Sequence, residues 1–130
     1  MTPMKRAIHA YNKVDMDAQA EYASPYQLTK MLFTGAIKSI SIVPMLIERK
    51  DFEQASMEIT RCLGIVNGLR ESLDLSQGEI AENLYRLYSY MSRELVRAYR
   101  AKDLDGLKAV RGLLVEIDEA WDSIPYELRG

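Results

Sequence analysis

Cysteine and histidine each occur once in these 130 residues, proline four times and glycine seven. A single cysteine, Cys62, cannot close a disulfide within the chain. A single histidine, His9, removes His-rich zinc sites and the Glu-x-x-His pairs that hold di-iron centres in ferritin-like bundles. No cofactor or metal is expected. Long apolar runs are also missing. The longest, Ile42 to Ile47, has Pro44 inside it and falls far short of the ~20 residues a spanning helix needs. Residues 1–10 carry Lys5, Arg6 and His9 among few apolar side chains, unlike a secretory signal. Nor is there an excess of charge. With 17 Lys+Arg against 19 Asp+Glu, the formal net charge is −2, and no basic run offers a footprint for nucleic acid. These absences point to a cytoplasmic chain without membrane insertion.

What is present is helical. Hydrophobic residues make up 48% of the chain, and a domain of this size buries roughly two-thirds of its unfolded surface, so it needs no covalent staple. Helix starts are spelled out four times. Ser24-Pro25-Tyr26-Gln27 combines an N-cap serine, proline at the first helical position and a glutamine able to reach back. Asp51 with Gln54 repeats the spacing, Ser76-Gln77-Gly78-Glu79 reads as a capping box, and Asp103 can cap a last helix that Pro125 ends. Starts this evenly spaced, joined by short connections, predict antiparallel neighbours.

The apolar spacing agrees. Phe52, Ala55, Ile59, Cys62, Val66, Leu69 and Leu73 alternate steps of three and four, as do Leu107, Val110, Leu114, Ile117, Trp121 and Ile124. Such rows are seams for helices crossing at shallow angles. Ile80, Leu84, Leu87, Met91 and Ala98 form the expected core row of the third helix, with Glu94 interrupting. The first carries Leu28, Met31, Leu32, Gly35, Ile40, Val43 and Ile47, and Pro44 should bend or divide it. The expected fold is all-α: one domain over 1–130, an antiparallel four-helix bundle over 24–125 preceded by an N-terminal helical arm over 1–23. Ile8, Tyr11 and Ala18 give that arm only a thin apolar stripe.

Catalysis finds little support. Asp15, Asp17, Glu116, Asp118 and Glu119 stand at spacings typical of solvated helix faces, whereas a carboxylate pair must share a cleft with split pKa values. Cys62 lies on a seam, where it reads as a small apolar residue. His9 reads as an exposed side chain. No enzyme is expected.

One feature exceeds what a small bundle needs. In the third helix Ala81, Tyr85, Tyr88, Ser92, Leu95 and Tyr99 form a second row, offset by one residue from the first. Leu63 and Ile65 lie outside the seam of the second helix; Tyr26, Phe33, Ile37 and Met45 lie off the main row of the first. One stripe suffices to join a bundle. Tyrosine suits a face that is apolar yet partly wet, so the surplus either packs the arm or forms a groove for a partner's amphipathic helix. Self-association through that face, in a structural bundle without an exported client, is the alternative.

In order along the chain, Ile8 and Tyr11, Ser24-Pro25 with Leu28, Met31-Leu32-Phe33 and Gly35, Ile65-Val66-Asn67-Gly68-Leu69, Leu73-Asp74, Gly78-Glu79-Ile80-Ala81, Asn83-Leu84, Leu87-Tyr88, Tyr90-Met91, Arg93, Leu95 and Ala120-Trp121 resemble the flagellar secretion chaperone family FliS. The family usually has two adjacent glycines where this chain has Gln77-Gly78, and often two arginines where it has Arg93-Glu94; Pro44 is outside the pattern. The resemblance implies a cytoplasmic export chaperone. Such a protein binds the C-terminal segment of flagellin, blocks premature polymerisation and assists delivery to the flagellar type III export apparatus. It further implies a plug formed by Ile8 and Tyr11, and a flagellin groove drawn from Leu28, Leu32, Val66, Leu69, Leu84, Leu87, Tyr88 and Leu95. A monomer forming a 1:1 client complex is expected, and an anti-sigma factor or co-chaperone is a possible additional partner.

Overall fold

A computed structural model describes residues 24–123, with Pro3 alone before them. Four helices fill this span and, among the described residues, there is no strand: α1 (Pro25–Glu48), α2 (Phe52–Glu71), α3 (Glu79–Ala101) and α4 (Leu104–Asp122), with a single 3₁₀ turn at Leu75–Gln77. Helix α1 packs on α2 and α4, and α3 packs on the same two. This closes an up-down-up-down ring, as short connections require.

Local chemistry sets the ends. The Ser24 hydroxyl accepts from the Gln27 amide at 3.1 Å while the Gln27 carbonyl oxygen accepts from the Ser24 amide at 3.0 Å, with Pro25 at the first position. Asp51 and Asp103 cap α2 and α4 by accepting from the Gln54 and Gly106 amides. The tight reversals into α2 and α4 share one device. Lys50 and Lys102 take positive φ of 60° and 54°, and the next amide donates back to a carbonyl five residues earlier, Asp51 to Leu46 and Asp103 to Ala98.

The third start differs from its reading. Ser76 caps nothing; it lies in the 3₁₀ turn, where its amide and hydroxyl both donate to the Asp74 carboxylate. Helix α3 begins after Gly78, whose φ of 103° and ψ of −157° no other residue adopts readily, and which offers no side-chain cap. Pro44, expected to bend or divide α1, does not divide it: the helix is continuous through Glu48. Proline has no N–H, so the Ile40 carbonyl forgoes its usual helical donor.

The core runs the length of the bundle. Leu32, Phe33, Ala36, Ile40, Val43 and Leu46 come from α1, and Leu107, Val110 and Leu114 from α4. In α2 the seam Ala55, Ile59, Cys62, Val66 and Leu69 is buried as read, but Phe52 at its start is exposed, and Ile65, set outside the seam, is fully buried. Helix α1 is long and apolar enough to cross a membrane by length and composition. Its Leu32, Phe33, Ile40, Val43 and Leu46 are instead buried in the core of the bundle, while Ile42 and Met45 are exposed.

Helix α3 overturns the expected division of its rows. Its buried residues are Ala81, Tyr88, Met91, Ser92, Leu95 and Ala98. Of the row expected in the core, Ile80 is 78% exposed and Leu84 and Leu87 are half-buried, whereas Tyr88 and Leu95, assigned to the surplus, are 4% and 0% exposed. The helix is rotated so that its buried face is centred on 81, 88 and 95 and reaches 91 and 98. Tyr88 burial is deep enough to push its phenol up to about 12. Phe33, also set off the main row, is likewise fully buried, so much of the apparent surplus is core.

Candidate functional site

Two surfaces stand out, one apolar and one cationic. The apolar one lies at the end of the bundle where α1 and α3 begin and α2 and α4 finish. Tyr26 stacks on Trp121 at 5.6 Å between ring centroids, the Trp121 indole N–H donates to the Tyr26 carbonyl at 3.1 Å, and Phe33 meets the same indole edge-on. Lys30 bridges from α1 to Asp118 at 2.6 Å and Asp122 at 2.7 Å. These contacts fix the start of α1 against the end of α4. On the opposite side the Arg70 guanidinium lies 5.7 Å from the Tyr85 ring centroid, tying the end of α2 to the start of α3.

At this end Leu28, Met31, Leu73, Leu84, Leu87, Ile117 and Trp121 are half-buried against the core, and Leu75 and Ile80 are exposed beside them. The candidate groove residues therefore divide. Leu28, Leu84 and Leu87 reach the surface at the same end of the bundle. Leu32, Val66, Leu69, Tyr88 and Leu95 lie in the interior beneath and beyond them. Ile8 and Tyr11, with His9, Asp15 and Asp17, are outside the described residues, as are Ile124 and Pro125.

Of the remaining acidic candidates, Glu116 and Glu119 are exposed and Asp118 has Lys30 as its ion-pair partner. Glu94, in the third helix, is gripped by Arg97, which also binds Asp103 at 2.9 Å and so ties α3 to the first residue before α4. The Arg97 hydrogen bond lowers the Glu94 carboxyl; it also lowers Asp103, helped by the Gly106 amide. The Cys62 thiol is fully buried, and desolvation with the nearby Glu58 charge pushes it up to about 12, far from a reactive thiolate. Glu58, itself buried, is held by Arg61 and Gln54. Among the described residues no three His, Cys, Asp or Glu side chains are grouped as a metal site would need.

The cationic surface was not anticipated. A shallow, open cleft of about 850 Å³ runs over the surface between α2 and α3, lined by Leu63, Asn67 and Arg70 from one helix and by Ser92, Arg93, Val96, Arg97, Arg100 and Ala101 from the other. The Ser92 hydroxyl donates to the Asn67 carbonyl oxygen across its floor. The spacing of Arg93, Arg97 and Arg100, one helical face at steps of four and three, was the signal available in the sequence.

The profile of flagellar protein FliS matches residues 7–127. The chain is 38% identical over 119 residues to the flagellar secretion chaperone FliS of Salmonella typhimurium, covering 90% of this chain and 88% of the relative. It is 35% identical over 122 residues to the flagellar secretion chaperone FliSB of Pseudomonas aeruginosa, covering 93% and 97%. To the FliS of Vibrio cholerae it is 32% identical over 125 residues, covering 95% and 92%. With a profile match running almost end to end and relatives above 30% identity across both chains, the protein belongs to the FliS family of flagellar proteins.

Proposed function

We propose that this protein is a cytoplasmic export chaperone that holds the C-terminal segment of flagellin, keeps it from polymerising early and assists its delivery to the flagellar type III export apparatus. The observation that carries this reading is the relationship along residues 7–127 to proteins named flagellar secretion chaperones. Geometry supports it by supplying partly exposed apolar side chains at one end of the bundle. Leu28, Leu84 and Leu87, with the exposed Ile80 and Leu75, offer contacts to an amphipathic client helix, and Ile8 and Tyr11 act as the plug that competes for them. A client that folds on binding gives up ~2–5 kcal/mol to ordering. An extended contact of this kind is specific and still releasable.

The test is calorimetric titration of a flagellin C-terminal peptide into the chain, with light scattering of the mixture. A monomer that forms a 1:1 complex, weakened at least about tenfold by Leu84→Ser with Leu87→Ser, supports the reading; tenfold corresponds to ~1.4 kcal/mol. A stable dimer that ignores the peptide overturns it in favour of a self-associating bundle.

A further inference from the structure

We infer that the cleft between α2 and α3 is a second docking surface, which takes an acidic amphipathic helix from a partner protein. The inference stands apart from the flagellin reading, because it uses different residues and different chemistry. The chain as a whole is slightly acidic, yet every charged residue lining this cleft is an arginine. Arg97 is committed to Glu94 and Asp103. Arg93 and Arg100 are exposed and form no ion pair among the described residues. Arg70, on the facing wall, lies over the Tyr85 ring and 3.9 Å from Glu71, and its Nε is buried without a hydrogen-bond partner among the described residues. The exposed Arg93 and Arg100 guanidinium groups favour incoming acceptors, and arginine matches a carboxylate with two parallel bonds.

The spacing suits a helix. Leu63, Val96 and Ala101 supply the apolar part of a lining that also holds the arginines, a combination that an apolar ridge flanked by carboxylates would match. Arg93 and Arg100 are seven residues apart on α3, about 10 Å at the helical rise. A helix lying along the cleft has the same rise, so acidic residues at i and i+7 on it fall opposite the two arginines. A compact phosphate ligand would need the guanidinium groups to converge, whereas Arg93 and Arg100 stem from positions about two helical turns apart on α3.

The experiment uses the full chain and a synthetic helical peptide about 15 residues long, with leucine and alanine along one stripe and glutamates at i, i+4 and i+7 beside it. Titration at physiological salt, where exposed charges are screened beyond ~8 Å, is expected to show saturable binding. Arg93→Glu with Arg100→Glu should weaken it at least about tenfold, and Arg93→Gln with Arg100→Gln should weaken it less but measurably. The same charge change outside the cleft, Arg49→Glu with Arg86→Glu, should leave it within about twofold. Replacing the peptide's leucines by serine should abolish binding. Absence of binding to the unaltered chain overturns the inference, as does equal loss in the two double charge reversals. Displacement of the peptide by a labelled DNA duplex would assign the cleft to nucleic acid instead. Flagellin-peptide affinity, measured on the same Arg93→Glu with Arg100→Glu chain, separates this result from any failure of the chaperone reading.

Discussion

Leu87 and Leu95 stand on the same helix and answer to different neighbours. Leu95 is enclosed on all sides and belongs to the core cluster, whereas Leu87 keeps part of its side chain in water. Truncating Leu95 to alanine should cost about 3–5 kcal/mol, since both transfer energy and a cavity are involved. The same change at Leu87 should cost about 1–2 kcal/mol, because burial is already incomplete. Urea unfolding of the two variants checks the order, and equal losses would refute the orientation of α3. A second prediction concerns charge. Glu94 and Asp103 have folded-state pKa values held below their ordinary ones by Arg97. Such groups contribute stability at pH above the ordinary carboxylate range, and the contribution is lost as pH falls through the depressed values. Unfolding midpoints measured from pH 5 downwards should therefore decline below about pH 4, and Arg97→Ala should flatten that limb. The sequence could not choose the row in α3 because both rows are apolar at most positions and their buried members include small residues, Ala81, Ser92 and Ala98. Size and polarity did not mark the centre; only the neighbours on either flank do.

At the scale of the element, cap chemistry was the most legible signal and also the place of one misreading. Ser24, Asp51 and Asp103 each cap the helix they were read to cap, because an Asx or serine oxygen three residues before a free amide has little else to do. Ser24→Ala should cost about 1 kcal/mol. Ser76-Gln77-Gly78-Glu79 matches the same pattern, but Asp74 competes for Ser76 from two residues upstream and wins both its amide and its hydroxyl. Gly78 is then left to make the turn by conformation alone. A methyl group there would meet no atom within 4 Å, so Gly78→Ala tests backbone strain without steric clash. The expected loss is about 1–3 kcal/mol, read from thermal or urea unfolding; a neutral result would show that the turn relaxes to an ordinary φ. The cleft between α2 and α3 escaped notice for a related reason. Arginines counted along a chain look scattered, and they become a surface only when two helices are set side by side.

For the whole molecule, the number of helices, their order and their antiparallel packing followed from evenly spaced starts and short connections, while the surface for a client did not. Burial absorbs most of the apolar surplus, leaving Leu28 on α1 and Ile80, Leu84 and Leu87 on α3 partly or largely exposed at one end of the bundle. That is also the end at which residue 24 enters the bundle, next to Trp121. An arm attached there needs no long reach to compete with a client. If it does compete, the measured affinity is the intrinsic one reduced by the fraction of molecules in which the surface is open. Removing residues 1–20 should leave the bundle folded, since Ser24 with its cap and the whole described core lie beyond the cut. The shortened chain should then bind a flagellin C-terminal peptide as tightly as the intact chain or more so. Calorimetry on both chains checks this. Tighter binding would measure how closed the resting protein is, and a large loss would mean that Tyr11 or its neighbours are client contacts and not a plug.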